Sequence, residues 1–468
     1  MTLPAYANTD LSRQAAEARP QRYAPRSAIF GWVLFDWAAQ PFFTLLTTFI
    51  YAPYFANVIA SDPVRGQSLW GYATAAGGLI IALCSPLLGA VADAAGRRKP
   101  WIAAFGVVIV IATAMLWFGK PKDASSVPIV LIAFAFATVA VEFATVFNNA
   151  MMPSLVPPER LGRLSGTGWA IGYVGGILSL IVMLGWLVAD PVTGKTLLGF
   201  KPLFGLDPAL REGDRAAGPF TALWFVVFVV PLFLFTPDQP RKLPVIAAVR
   251  QGLATLKDSL RRLRHHRDTS AFLLANMIYA DGLVALFIFG GIFAAGIFGW
   301  STIEMGLFGV LLAIAGTFGA LLGGYLDDRF GSKPVILGML ALLQFALVAL
   351  LSLGPDYIGP FTVAPPTPGD GLFASPAEKA CLAIGALMGF AAGPLQAASR
   401  TFLVRLAPRE RMTQFFGLFA LTGRITSFAG PLAVGALTAA MGSQRAGISI
   451  ITVFFAVGMI LLTRVRGR

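Results

Sequence analysis

The chain is short of charge, short of cysteine and almost without histidine, and each shortage removes a class of protein. Of its 468 residues only 13% are Asp, Glu, Lys or Arg, against about a quarter in a soluble globular domain. Too few charges remain to cover a water-exposed surface of that size. The two cysteines, Cys84 and Cys381, both stand inside long apolar runs, so no disulfide framework is implied. The two histidines, His265 and His266, are neighbours in one basic stretch. No Cys/His set with ligand spacing exists, and neither a metal site nor a cofactor is expected. Nothing else in the sequence supplies a nucleophile with an acid/base pair, so no enzymatic activity is expected. Asn-x-Ser/Thr sequons are absent, and the first 27 residues lack the short apolar core of a cleavable signal.

What is abundant is apolar: 56% of the residues are hydrophobic, with 38 Phe against 9 Tyr. A run of about 20 apolar residues crosses the hydrocarbon core as a helix. Twelve such runs occur, near 29–58, 69–92, 101–118, 128–151, 164–189, 219–236, 270–298, 304–326, 334–353, 380–403, 413–440 and 447–463. None shows the alternation of an outer-membrane strand, which leaves an all-α integral membrane protein. The net charge of +13 does not require a nucleic acid, because most of the 36 Lys and Arg fall in alternate connecting segments. These include Arg97, Arg98 and Lys99, then Arg160 and Arg163, then the stretch between spans six and seven, and the C-terminal end. Cations concentrate on the cytoplasmic side, so both termini are expected there.

A duplication is legible in the connecting segments. GAVADAAGRRKP (89–100) places Gly89, Asp93 and Gly96 at offsets of four and seven, and GYLDDRFGSK repeats the spacing with Gly324, Asp328 and Gly331, 235 residues on. LVPPERLGRLSG (155–166) and LAPRERMTQFFG (406–417) match at five positions with an offset of 251. The chain therefore divides into a cytoplasmic tail (1–27), a six-helix bundle (28–236), a cytoplasmic linker (237–268) and a second six-helix bundle (269–468). Within the linker Ile246, Val249, Leu253, Leu256, Leu260 and Leu263 recur at three and four among cations, the pattern of an amphipathic helix on an anionic membrane surface.

Two parallel six-span repeats joined by a cytoplasmic linker is the plan of the major facilitator superfamily, and GAVADAAGRRKP resembles that superfamily's loop motif between spans two and three. In physical terms Gly89 and Gly96 allow close helix approach. The carboxylates of Asp93 and Asp328 can pair with a cation or a helix N-terminus of the opposite half, a cytoplasmic latch to which Arg97, Arg98 and Gly331 also belong. Four stretches resemble one branch, the autophagy-related vacuolar amino-acid effluxer family. They are GWVLFDWAAQPFFTLLTTFIYAPYF (31–55), NNAMMPSLVPPERLGRLSGTGWAIGYVGG (148–176), PLQAASRTFLVRLAPRE (394–410) and FFGLFALTGRITSFAGPL (415–432). The resemblance implies alternating access about a central site, with a bacterial inner-membrane location and a monomer expected.

A charge at mid-bilayer costs about 2.5–3.5 kcal/mol on insertion scales, so each retained one needs a reason. Asp36, Glu142, Asp281, Arg400 and Arg424 qualify. If the resemblance holds, Glu142, Asp281 and Arg424, with Asn148, Asn149, Asn276, Gln40 and Gln396, bind substrate or a coupling ion, expected to be a proton. Asp36 and Arg400 are expected to form a cytoplasmic gate. A small zwitterion such as an amino acid suits acids and arginines together; an exporter of amphipathic drugs and a receptor or scramblase are the alternatives. The segment ADPVTGKT (189–196) fits a relaxed phosphate-loop pattern, but it follows a membrane helix rather than a strand and is not read as a nucleotide site.

Overall fold

The computed structural model describes residues 23–60, 63–244, 246–252, 254, 267–300, 302–365, 372–427 and 429–466. Most of the polar tail and the second part of the linker lie outside them. The described chain is almost entirely helical. Among the described residues eleven helices are long and apolar enough to cross a membrane, by length and composition. In chain order the principal helices are α1 (Arg26–Pro41), α2 (Pro63–Ala95), α3 (Lys99–Met115), α4 (Ser126–Asn149), α5 (Leu161–Val182) and α6 (Glu212–Phe235). After the linker come α7 (Arg267–Phe298), α8 (Thr302–Phe330), α9 (Ser332–Leu351), α10 (Pro376–Leu406), α11 (Met412–Ile425), α12 (Ala429–Met441) and α13 (Gln444–Thr463).

The eleventh apolar run differs from expectation. Residues 413–440 form no single helix but two short ones, α11 and α12, with a turn at Thr426 and Ser427. The first run is irregular as well: α1 contains Pro41 at its end and continues as a π-helix over Phe42–Phe49. The long loop before α10 holds a two-residue hairpin, β1 (Tyr357–Ile358) against β2 (Phe361–Thr362).

α1 to α6 pack on one another, and so do α7 to α13; the two sets meet chiefly along α2 with α11 and α5 with α8. Those seams are made of glycine. A Cβ on Gly89 would stand 2.5 Å from the Thr413 carbonyl oxygen, and one on Gly417 would strike the Ser85 carbonyl. On the other seam, Cβ atoms on Gly162 and Gly324 would each collide with the other's backbone, at 2.7 and 2.6 Å. All four positions lie toward the end that carries the basic loops. Further along the helices Gly71 and Gly78 on α2 and Gly435 on α12 have no neighbour within 4 Å. The two sets therefore pack closely at the basic end, and beyond it, despite contacts such as Gly309 with Phe49, they leave a cavity between them. The repeated glycine at offset seven has a backbone reason: Gly96 and Gly331, following α2 and α8, both have φ of +89°, where a side chain would be strained.

Candidate functional site

Where the sets part, a cavity of about 430 Å3 opens between them. The π-wound continuation of α1 contributes Phe43, Thr44, Thr48 and Phe49. A π-helix bonds i to i+5, so Phe43 stacks over Thr48 and Thr44 over Phe49 along one side. The hydroxyl protons of Thr47 and Thr48 are already engaged along the helix: Thr48 Oγ1 donates to the Phe43 carbonyl at 2.9 Å and Thr47 Oγ1 to that of Phe42 at 3.1 Å. Tyr173 of α5, Phe287 of α7, Met305 and Phe308 of α8, and Met388 of α10 complete the walls. No charged side chain among the described residues lines the cavity. Its polar groups are Gln40, Thr44, Thr48 and Tyr173. Gln40 Nε2 donates to Thr44 Oγ1 at 3.4 Å, and both side chains lie where a Cβ on Gly176 would be.

One helical turn below Gln40 stands Asp36, and with it the gate. Arg400 of α10 is 4% exposed, and its guanidinium enters the opposite set of helices. Its Nε donates to Ser165 Oγ (2.9 Å) and Nη2 to the Ser165 carbonyl (2.8 Å). Nη1 donates to Asn149 Oδ1 (2.9 Å) and to Asp36 Oδ2 (3.3 Å). The Trp32 ring covers the group, its centroid 5.2 Å from the guanidinium carbon. Gly168 makes the space, since a Cβ there would lie 2.5 Å from Asp36 Oδ2. One residue of the second half thus ties α1, α4 and α5 of the first.

Below this layer two carboxylates cap helices across the seams. Asp93 accepts from the backbone N–H of Thr413 (Oδ1, 3.2 Å) and Gln414 (Oδ2, 2.9 Å) at the start of α11. Asp328 accepts from Gly162 (2.7 Å) and Arg163 (3.1 Å) at the start of α5. Gly162 and Arg163 correspond to Thr413 and Gln414 through the offset of 251, so the two caps are copies related by the duplication. A carboxylate on a helix N-terminus satisfies orphan donors and meets the positive end of the dipole. Arg98 completes the first copy, its Nη2 donating to Asp93 Oδ1 (3.2 Å) and its Nε to Thr413 Oγ1 (3.0 Å). In the second copy Arg163 Nε approaches Asp328 Oδ2 at 3.4 Å. Beside it Asp327 accepts from Ser332 Oγ at 2.8 Å and pairs with Arg405 Nη1 at 2.8 Å.

The residues singled out by sequence thus separate into groups. Asp36, Asn149 and Arg400 come together; Gln40 lines the cavity; Gln396 stands near Tyr173 and donates to the Ala392 carbonyl. Asn148 is fully buried beside the gate, its carbonyl accepting from Trp32 Nε1 at 2.7 Å and its amide without a partner. Glu142, Asn276 and Asp281 do not line the cavity. Glu142 is half-buried on α4 and Asn276 buried on α7. Asp281 is buried on α7 with Oδ1 unpartnered, its carbonyl against Gly430 of α12. The Arg424 side chain lies outside the described residues. Arg97 is exposed, and Gly331 lines a second cleft with Asp327 and Arg405. Sequence reasoning missed Ser165, Trp32, Asp327 and the aromatic walls. The offset of 251 could have predicted which backbone donors the two aspartates reach, but no local signal marks Ser165 as an arginine partner.

The phosphate-loop-like segment closes on itself. The Asp190 carboxylate accepts from the N–H groups of Val192 and Thr193, both at 2.8 Å. Those donors hold its carboxyl below the usual carboxylate range, and they point at an acid rather than at an anion site.

Comparison with known proteins agrees with this architecture. The family described as "Vacuole effluxer Atg22 like" matches residues 158–468, and "Major Facilitator Superfamily" matches residues 6–194. An uncharacterized MFS-type transporter of Bacillus subtilis, YxiO, is 23% identical over 438 residues, covering 92% of this chain and 93% of that one. Autophagy-related protein 22-1 of Penicillium rubens is 27% identical over 312 residues, covering 64% of this chain but 48% of that one. This chain spans about half the length of that fungal relative. Among solved structures, FucP in the outward conformation aligns with a TM-score of 0.68 at 16% identity, covering 95% of this chain and 99% of that one. The human organic anion transporter MFSD10 aligns with a TM-score of 0.67 at 17% identity, with 93% and 99% covered.

Proposed function

The chain belongs to the vacuole effluxer Atg22-like family of the major facilitator superfamily, and from that premise we propose that it is a secondary transporter caught open to the outside. One observation carries the reading: the cavity lies directly above a closure in which the Arg400 cluster and the two aspartate caps join one half to the other. Rocking of one six-helix bundle on the other breaks the Arg400 cluster and both aspartate caps together and presents the cavity to the basic side. Counting cations puts that side in the cytoplasm, with both termini, and the bacterial inner membrane is the proposed location for a monomer.

The solute we propose is small, with an apolar body against Phe43, Phe49, Phe287 and Phe308 and a polar head at Gln40, Thr44 and Tyr173. An amino acid with an apolar side chain fits that description; Arg424, whose charge inside an apolar run needs a reason, is the proposed partner of its carboxylate on sequence grounds alone. The uncharged lining also favours a second reading, an amphipathic drug. Arg424→Ala distinguishes them. Amino-acid flux falls by at least about tenfold if an ion pair worth more than about 1.4 kcal/mol is lost, whereas drug flux is unchanged.

We assign the coupling ion as a proton carried by Glu142 or Asp281, acids whose place in a membrane helix needs a functional reason. A thermal-shift screen of the purified protein against amino acids, sugars, nucleosides and drugs identifies the solute. Its accumulation in proteoliposomes is then measured with and without a pH gradient. Gradient-driven accumulation is expected; absence of gradient-driven flux for every class sinks the transporter reading in favour of a receptor or scramblase.

Obstruction of the cavity gives an independent check. Gly290 lines it, and a Cβ there would meet only the Leu286 side chain, at 3.7 Å. Gly290→Phe is accommodated by the backbone and fills the space. Flux is expected to drop at least about tenfold, because the ring occupies the space the solute needs and about 1.4 kcal/mol or more of its binding is lost, with the unfolding midpoint within a few degrees of wild type.

A further inference from the structure

The segment joining the two halves does not hang free of the closure. Asp238 caps α3, accepting from the N–H of Arg98 (2.9 Å) and of Lys99 (3.1 Å). The Lys242 N–H donates to the Ala95 carbonyl at the end of α2 (2.9 Å), and its Nζ to the Asp93 carbonyl (3.3 Å). The helical stretch that follows rests on α2. Ala248 is fully buried with Val91 and Ala95, and a Cβ on Gly252 would stand 2.8 Å from the Val91 nitrogen. The motif 89–100 is therefore gripped twice. Its side chains, Asp93 and Arg98, hold α11 of the opposite half, while its backbone holds the linker.

Ala248 and Gly252 are one turn apart and share the face on α2. The opposite face carries Ile246, which is 87% exposed, Val249 and Arg250. Val91 lies one turn before the end of α2, so this face runs level with the last turn of a membrane-spanning helix, where headgroups begin. From 237 to 268 the sequence holds eight Lys and Arg against three Asp, with leucines continuing the spacing. Ile246 and Val249 beside Arg250 at that depth complement an anionic lipid surface.

We propose that the linker is a lipid-responsive strap: anionic headgroups seat it against α2, and through Asp238 and Lys242 it holds the motif in the geometry that caps α11. Negative lipid then favours the form closed at the basic end. The inference does not depend on what is transported, because its test measures shape rather than flux.

Spin labels at Arg97 and Glu410, exposed positions on either side of the α2 and α11 seam, report that closure as a distance distribution. The labelled protein is compared in phosphatidylcholine vesicles and in vesicles with about one third phosphatidylglycerol. The closed population is expected to rise by about fivefold per engaged cation, the ratio equivalent to about 1 kcal/mol, and to fall back in high salt. Arg250→Gln, a single exposed change, reduces the response, and Gly252→Leu, which lifts the helix from α2, removes it. Identical distributions in the two lipids overturn the proposal. So does a wild-type response that survives in both variants.

Discussion

Arg400→Met opens the basic end. The substitution keeps an apolar stem of similar length and removes every guanidinium donor that ties α10 to α1, α4 and α5, leaving half-buried Asp36 without its cation and Asn149 and the Ser165 carbonyl without a donor, while Ser165 Oγ still donates to the Ala397 carbonyl. Breaking a buried pair from one side costs about 3–5 kcal/mol, and all of that falls on the closed form, because Arg400 and its partners belong to different halves. The closed population is expected to fall by at least about a hundredfold, seen as a shift of the Arg97 to Glu410 label distance to longer values. Arg400→Lys does not restore it, since a single ammonium cannot serve Ser165, Asn149 and Asp36 from three directions as the planar fork does. Asp36→Asn added to Arg400→Met recovers part of the closure, because the uncompensated charge is then gone. A double variant as open as the single one would show that the hydrogen bonds to Ser165, and not the charge pair, hold the gate.

The second large effect is steric. Gly89→Val and Gly324→Val put a branched side chain where Thr413 and Gly162 backbone already stand, at 2.5 and 2.6 Å from the added Cβ. Backbone cannot yield as a side-chain end can, and overpacking of this kind costs about 1–3 kcal/mol or more. Each variant is expected to separate its own seam and, since the halves move as bodies, to weaken the cap at the other. Gly435→Ala on α12, with no neighbour within 4 Å, leaves the distribution unchanged and controls for helix propensity. Equal effects of Gly89→Val and Gly435→Ala would dismiss close approach as the reason for the repeated glycine.

The candidate site was legible in parts. Asp93 and Asp328 were recognisable because duplication preserves spacing, and their partners are copies of each other for the same reason. Asp36 and Arg400 were recognisable as costly intramembrane charges, though their distance from one another in the chain hid Ser165 and Asn149 between them. That the polar and charged residues share one central site is what the family resemblance implies. The structure gives the lining instead to Phe43, Phe49, Phe287 and Phe308, which a composition rich in phenylalanine cannot distinguish from lipid-facing neighbours. The π-winding of 42–49 and the division of 412–441 into two helices leave no mark in hydropathy, which averages over whole turns.

What the chain alone determined is whatever a bilayer reads one segment at a time: the number of apolar runs, the bias of cations to alternate loops, and the recurrence of Gly/Asp/Gly at fixed spacing. Each is a local quantity, set by hydrocarbon thickness and by the cost of burying single charges. Only the tertiary structure decided which face each helix turns to the other half, and so which charges are tied, which groups line the cavity, and where the linker rests. Those outcomes depend on helix rotation and on approach distances between residues hundreds of positions apart, which glycine permits but does not by itself specify.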